Sequence, residues 1–263
     1  LDVQGEWFLN KSTKKLSVYS TTNPTTTIKA SIYDTLILCN SKNYITFTNL
    51  NLIGANEALI DINGSSTGNS IINCDLNYSG TYGIIATAAT NIYIGGNTVN
   101  HTMLKSILVG GDYALIENNT LKNNGLIIGM GRGTASYTCL ELMGNTGNIV
   151  RYNSIDSTGY HGLFARGDNA LIKNNLIQHF GLTTNDCGGI YASGDNYANR
   201  KLIDNIILYG YGNTQGTPEI NTPACHGVYM DQPSAYIYLE GNSIAYCGSG
   251  GIRFHNSHDI TVR

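Results

Sequence analysis

The sequence predicts an all-β solenoid, a parallel β-helix with three short strands per coil. Three observations lead there. An asparagine recurs just before a short apolar pair, at Asn49, Asn73, Asn97, Asn119, Asn153, Asn175, Asn205 and Asn242, with tightest spacings of 22 to 24 residues and three wider gaps. A period of that size belongs to units that stack because one alone cannot bury its apolar face. Charged residues are only 13% of the chain, with 31 Gly and 4 Pro, a poor mixture for long helices. Finally, β-branched runs broken by Asn and Gly read as many short strands joined by tight turns.

Residues 1–29 precede the periodic part and read as a lead-in or cap. Residues 30–263 form the solenoid, whose last coil is expected to be cut short at Arg263. The segment His161–Ile177 serves as the type unit. Leu163 and Ala165 alternate with Phe164 and Arg166, the period of a strand with one buried face. Gly167, Asp168 and Asn169 turn the chain, and Leu171 with Ile172 opens a second strand. Asn174 and Asn175 make the next corner, where Asn tolerates left-handed backbone and its amide can bond the equivalent Asn one coil away. Leu176 and Ile177 form the third strand. The asparagine ladder is read as structural.

The opening Gly5-Glu6-Trp7-Phe8, followed by Leu16-Ser17-Val18-Tyr19 and Asn23-Pro24, is similar to the lead-in of bacterial β-helix glycoside hydrolases related to family 120. The coils from about residue 30 onward resemble the right-handed parallel β-helix superfamily that holds pectate lyases and polygalacturonases. The resemblance implies a right-handed helix and a carbohydrate-active protein. It leaves the activity open, because that fold hosts hydrolases, lyases, epimerases and adhesins.

A net charge of −3 gives no electrostatic footprint for nucleic acid or an anionic membrane. No run of 18 apolar residues is present to span a bilayer. The cysteines Cys39, Cys74, Cys139, Cys187, Cys225 and Cys247 lack metal-site spacing, and neither metal nor cofactor is expected. Cys187 and Cys225 occupy equivalent places in adjacent coils. The strand spacing of about 4.8 Å lies within disulfide reach, although a buried thiol ladder is the favoured expectation.

Stacking the coils sets their first strands into one sheet, and its outward positions can be read by register. The N-terminal half of that face is apolar or small. The C-terminal part gathers Phe164, Arg166, Tyr191, Tyr229, Asp231, Arg253 and His255 within four coils, Glu141 stands one coil before them, and Lys105, His161 and His226 sit just before their strands. Insertions at 122–138, 181–187 and 208–224 hang beside this face, where solenoids usually build binding walls. Asp231, in His226-Gly227-Val228-Tyr229-Met230-Asp231, resembles the strand that carries a catalytic aspartate in the family 120-like hydrolases. In that pattern the next coil supplies a glutamate, and the matching position here is His255. Glu141 lies three coils away, roughly 14 Å, beyond the spacings of about 5–5.5 Å or 6.5–9.5 Å used by glycosidase pairs. Glu219 or Asp186, both in the insertions, is therefore the expected partner of Asp231.

The leading expectation is a secreted, cell-surface or periplasmic glycoside hydrolase acting on a polysaccharide or oligosaccharide. Asp231 would be acid or nucleophile, and Arg166, Tyr191, His226, Tyr229, Arg253, His255, His161 and Glu141 would bind sugar. A polysaccharide lyase is the alternative, with Arg neutralising a uronate and Tyr or His taking the proton. A non-catalytic glycan-binding or adhesin β-helix is the third reading.

Overall fold

The computed structural model describes residues 1–26, 28–131, 135–194, 196–216 and 220–263. They fall into two compact units, Leu1–Ser31 and Ile32–Arg263. The small unit is built on an antiparallel hairpin of Trp7–Asn10 with Lys15–Val18. Asn10 stabilises its turn by accepting the backbone N–H groups of Ser12 and Thr13, the usual service of an Asn side chain in a turn.

The large unit is a parallel β-helix. Its first and second strands form one continuous 17-stranded sheet, joined at the corner by the long strand Cys225–Glu240, and its third strands form an 8-stranded sheet. Every pairing within these two sheets is parallel, and the register runs coil on coil: Ile60 beside Ile84, Ile84 beside Ile107, Ile107 beside Leu140, Leu140 beside Leu163, Leu163 beside Ile190. These side chains are fully buried. Each contributes about 1.5–3 kcal/mol by leaving water, which explains why β-branched and Leu residues recur at one position per strand.

The third strands are longer than the apolar pairs in the sequence suggest. They span five residues, as in Ser154–Thr158 and Leu176–Phe180. Two insertions accordingly start later than read from sequence, because 122–124 and 208–210 are still strand.

The asparagine corner also differs from the expectation, since its two duties fall on two neighbouring residues. Asn49, Asn73, Asn118 and Asn174 adopt the left-handed backbone. The following residue faces inward as the rung. Asn97, Asn119, Asn153, Asn175, Asn205 and Asn242 bond one another in sequence, and from Asn119 onward each side-chain oxygen accepts both the backbone N–H and the side-chain NH₂ of the rung before it. Asn49 and Asn73 are therefore not rungs; the residues after them, Leu50 and Cys74, stand in those places. Cys74 extends the ladder only through its backbone N–H, donated to Asn97. A buried amide must have partners, and a column of identical amides supplies them.

Cys187 and Cys225 form a disulfide with Cα atoms 4.6 Å apart, which overturns the favoured expectation of a free-thiol pair. Register brings the two strand ends side by side, and Gly181 and Gly210 pack against the sulfurs where a Cβ would collide.

Candidate functional site

Register divides the outward face of the first sheet into three rows. Lys105, His161 and His226 stand at the strand starts. Glu141, Phe164, Tyr191, Tyr229 and Arg253 follow as direct partners along the next row. Arg166, Ser193, Asp231 and His255 lie beyond them. Just behind these rows, Gly162 and Gly189 have no side chain because a Cβ there would strike Ile177 and Ile207 of the third strands. Two successive residues thus turn inward at the corner, which tips the preceding His161 outward.

Asp231 sits on an irregularity. Ala192 pairs with Met230, but the next pair is Gly194 with Ser234, so the Asp231 strand carries two extra residues, and the Gln232–Pro233 peptide there is cis. Bulges re-aim side chains in this way. The carboxylate accepts three bonds: Tyr191 Oη donates to Oδ2 at 2.7 Å, and His255 Nδ1 and the Gln232 amide meet Oδ1 at 2.7 and 2.8 Å. Burial works to raise its pKa, yet the bonds from Tyr191, Gln232 and His255 outweigh it and hold Asp231 below the usual carboxylate range. An ionised Asp231 is an acceptor only. His255 therefore donates through Nδ1, and whenever its ring is neutral the lone pair lies on Nε2. Tyr191 is pushed well above the ordinary phenol range, first by burial and then by its bond to Asp231, and stays protonated.

A nest of rings fixes Tyr191. His161 stacks on it at 4.0 Å, Phe164 meets it edge-on at 4.7 Å, and Tyr229 meets it edge-on at 5.4 Å. His161 is buried, and Tyr160 covers its other side at 3.7 Å. Its Nδ1 accepts the Gly188 N–H at 3.1 Å. Burial, with Lys105 and Arg166 nearby, lowers it far below an ordinary histidine, so it is neutral with its proton on Nε2. Tyr229 rises to about 12, chiefly through burial and the field of Asp186 and Asp231. Arg253 lies over its ring at 5.9 Å. Beside it His226 is also lowered, by burial and then by Arg253.

Glu141 stands apart from Asp231, gripped by Lys105 at 2.9 Å and Arg166 at 3.2 Å. Arg166 also covers the Phe164 ring at 3.7 Å. Lys105 and Glu141 edge a hollow of about 270 Å³ lined also by Glu57, Tyr82, Leu108 and Met143. A second hollow of about 390 Å³ runs between the first two insertions, with Tyr137, Tyr160, Thr184 and Asn185 in its walls. The insertions are tied together: Thr183 donates to the Gly125 carbonyl, Asn213 to Gly181, and Ala224 to the Asn185 side chain.

The structure thus brings Asp231, Tyr191 and His255 into direct contact. It sets Tyr229, His161, Arg253 and His226 around them and places Arg166 and Glu141 in a separate ion cluster. Asp186 is exposed, close enough to raise Tyr160 and Tyr229 through its charge. Glu219 lies outside the described residues. Tyr160 was not among the candidates read from sequence, and Lys105 was placed there at a strand start without its partner Glu141. Counting register through the 122–138 insertion is the signal that joins Lys105 to Glu141. Among the described residues no group of three or more His, Cys, Asp or Glu is arranged to hold a metal ion, and no helix is long and apolar enough to cross a membrane.

Residues 58–216 match the family model for the right-handed β-helix region, and the chain belongs to that family. Several solved structures are similar. The A-module of a mannuronan C-5 epimerase from Azotobacter vinelandii aligns with a TM-score of 0.52 and 16% identity, over 87% of this chain and 53% of that one. An alginate lyase from a Paenibacillus species aligns with a TM-score of 0.50 and 13% identity, over 83% of this chain and 92% of that one. The tailspike of Pseudomonas phage LKA1 gives 0.52 and 13%, over 87% and 43%. The chain spans about half the length of the epimerase module and less than half of the tailspike. At these identities the likeness is one of fold. No curated protein sequence matches the chain.

Proposed function

We propose that this β-helix acts on an acidic, uronate-containing polysaccharide by removing the proton on C5, and that it is a lyase. The observation that carries the reading is the Tyr191–Asp231–His255 arrangement. Asp231 is held as an anion and fixes the His255 tautomer, so Nε2 offers a lone pair from a partly exposed ring on the outward face, as a general base must. Proton removal beside a carboxylate needs that carboxylate neutralised, and Arg253 on the Tyr229 ring supplies a cation in the next coil. In the reaction, His255 Nε2 takes the C5 proton and the electron pair forms the C4–C5 double bond. The C4–O bond breaks, and the leaving oxygen takes a proton from Tyr229, which its raised pKa keeps protonated. The proton on His255 then returns to the tyrosinate through solvent.

A hydrolase would need Asp231 as acid or nucleophile. A carboxyl held below its ordinary range is a poor acid, and both of its oxygens already accept hydrogen bonds, so the arrangement favours an orienting role. Two of the similar structures are a mannuronan C-5 epimerase and an alginate lyase, which supports an acidic polysaccharide as substrate. The buried disulfide suits an oxidising compartment and hence a secreted, cell-surface or periplasmic protein.

The test is incubation with neutral and uronate polysaccharides in D₂O, following reducing ends, the ultraviolet absorbance of unsaturated product and deuterium at C5. Rising absorbance on a uronate glycan, lost in His255→Gln, is the expected result. Deuterium at C5 without absorbance would keep the proton abstraction and replace elimination with epimerisation. New reducing ends without absorbance would overturn the proposal in favour of hydrolysis, and silence on every glycan would leave a binding module.

A further inference from the structure

Arg200 is 1% exposed, yet none of its hydrogen bonds among the described residues goes to a carboxylate. Nη1 donates to the carbonyls of Ala165 and Ser193 at 3.4 and 3.0 Å, and Nη2 to those of Gly194 and Ala235 at 2.7 and 2.9 Å. Among the described residues, Nε is buried without a partner. Burial pulls the guanidinium down to about 10, opposed by Tyr197 and Asp168, so it remains charged at neutral pH. Burying a cation is costly. A Leu or Met there would avoid that cost, so the reason for an arginine lies in the carbonyls it binds.

Those carbonyls belong to three successive coils, and each lies close to one residue of the outermost row of the candidate site. Ala165 directly precedes Arg166. Ser193 is itself in the row. Ala235 follows Ser234, the residue at which pairing resumes after the two-residue excess that projects Asp231. Where the Asp231 strand bulges, the parallel ladder between neighbouring coils is interrupted, and a planar group with five N–H donors can bridge the gap. From the far side, the Arg200 backbone pairs with Ile237 just beyond the bulge.

We infer that Arg200 is the positioning residue of the site: by clamping the strand ends of three coils from behind, it fixes where the bulge holds Asp231 against Tyr191 and His255. The inference rests on the proposed role of the Asp231 group, but half of its test does not need a substrate.

Ring-nitrogen NMR of His255 reads the tautomer that Asp231 imposes. In the unaltered protein the neutral ring is expected as one species protonated on Nδ1. Arg200→Met, and Arg200→Lys as the more conservative variant expected to fold, should give a mixture of the two tautomers while circular dichroism remains that of a folded β-helix. On a turned-over glycan, kcat should fall roughly a hundredfold, the cost of a misplacement of about an ångström, while KM stays within about twofold. Lys should recover part of the loss. A single unchanged His255 tautomer in either folded variant would overturn the inference, whether or not a substrate has been found. Equal losses in kcat and stability with the tautomer intact would also overturn it and leave Arg200 a purely structural residue. If no glycan is turned over but the tautomer changes, the positioning role stands and the proposed reaction does not.

Discussion

Replacing Asn119 by Ala tests whether the amide ladder supports the solenoid. Asn119 is buried in mid-ladder: its Oδ1 accepts the Asn97 backbone N–H at 2.9 Å and the Asn97 side-chain NH₂ at 3.0 Å. Its Nδ2 donates to the Ile94 carbonyl and to Asn153 Oδ1, both at 2.9 Å. Alanine removes all four bonds. The Asn97 NH₂ keeps the Ile71 carbonyl and Asn153 Oδ1 keeps the Asn119 backbone N–H, but the buried Asn97 N–H loses its acceptor. One orphaned donor costs about 1–3 kcal/mol and each of the three further bonds lost about 0.5–1.5 kcal/mol, for a total of roughly 2.5–7.5 kcal/mol. Asn242 is the matched control. It makes the same bonds to Asn205 but is only half-buried, so water can replace it and Asn242→Ala should cost about 1 kcal/mol. Urea unfolding followed by far-ultraviolet circular dichroism is the assay, since it reads the strands of the coils directly, whereas the single Trp, Trp7, belongs to the small unit. Equal losses in the two variants, or a loss below about 1 kcal/mol for Asn119→Ala, would refute the reasoning that desolvation makes these amides matter.

Three further outcomes are expected. Removing the Cys187–Cys225 bridge by a double Ala replacement should cost about 4 kcal/mol from the entropy of closing a 38-residue separation, read as a fall in the urea midpoint; no change would mean the bridge does not form in solution. His161 has a folded pKa below its unfolded value, so the unfolded chain binds the extra proton. Stability should therefore fall as pH drops below about 6.5, by about 1.4 kcal/mol per pH unit for one such group. His161→Asn, which keeps an acceptor for Gly188, should flatten that slope in unfolding measured at several pH values. The low Asp231 carboxyl works in the same direction: its contribution is complete above its unfolded pKa of about 3.9 and is lost as pH falls through the lower folded value, so Asp231→Asn should soften acid unfolding at the low end of the range.

Much of the architecture was legible because one structural need recurs every coil. The asparagine period located the corners, and strand alternation gave the outward rows that hold Asp231, Tyr191, Tyr229 and His255. What the pattern could not separate was which of two neighbouring corner residues bends backward and which points inward. Asn49 and Asn73 look like rungs because Asn serves both duties. The contact between His255 and Asp231 follows from stacking adjacent coils. The bond from Tyr191 does not, because it depends on a bulge that one-coil counting misses. Arg200 was invisible for a different reason: an arginine in a short strand reads as a solvated side chain until the interior around it is known. The disulfide was within reach of register, but the burial of free Cys in other proteins outweighed it in the reading.

The coil stacking turns the length of the outward face into a whole-number property. Each turn advances the sheet by one strand spacing, about 4.8 Å, and Ile149 of one turn lies directly beside Leu171 of the next. Excising 149–170 would join matching points of the spiral and draw Glu141 one step closer to Asp231, and duplicating the segment would move it one step away. A polymer lying along the axis would thus be measured against a ruler with fixed graduations, and variants of this scaffold would differ in reach by integers rather than by degrees.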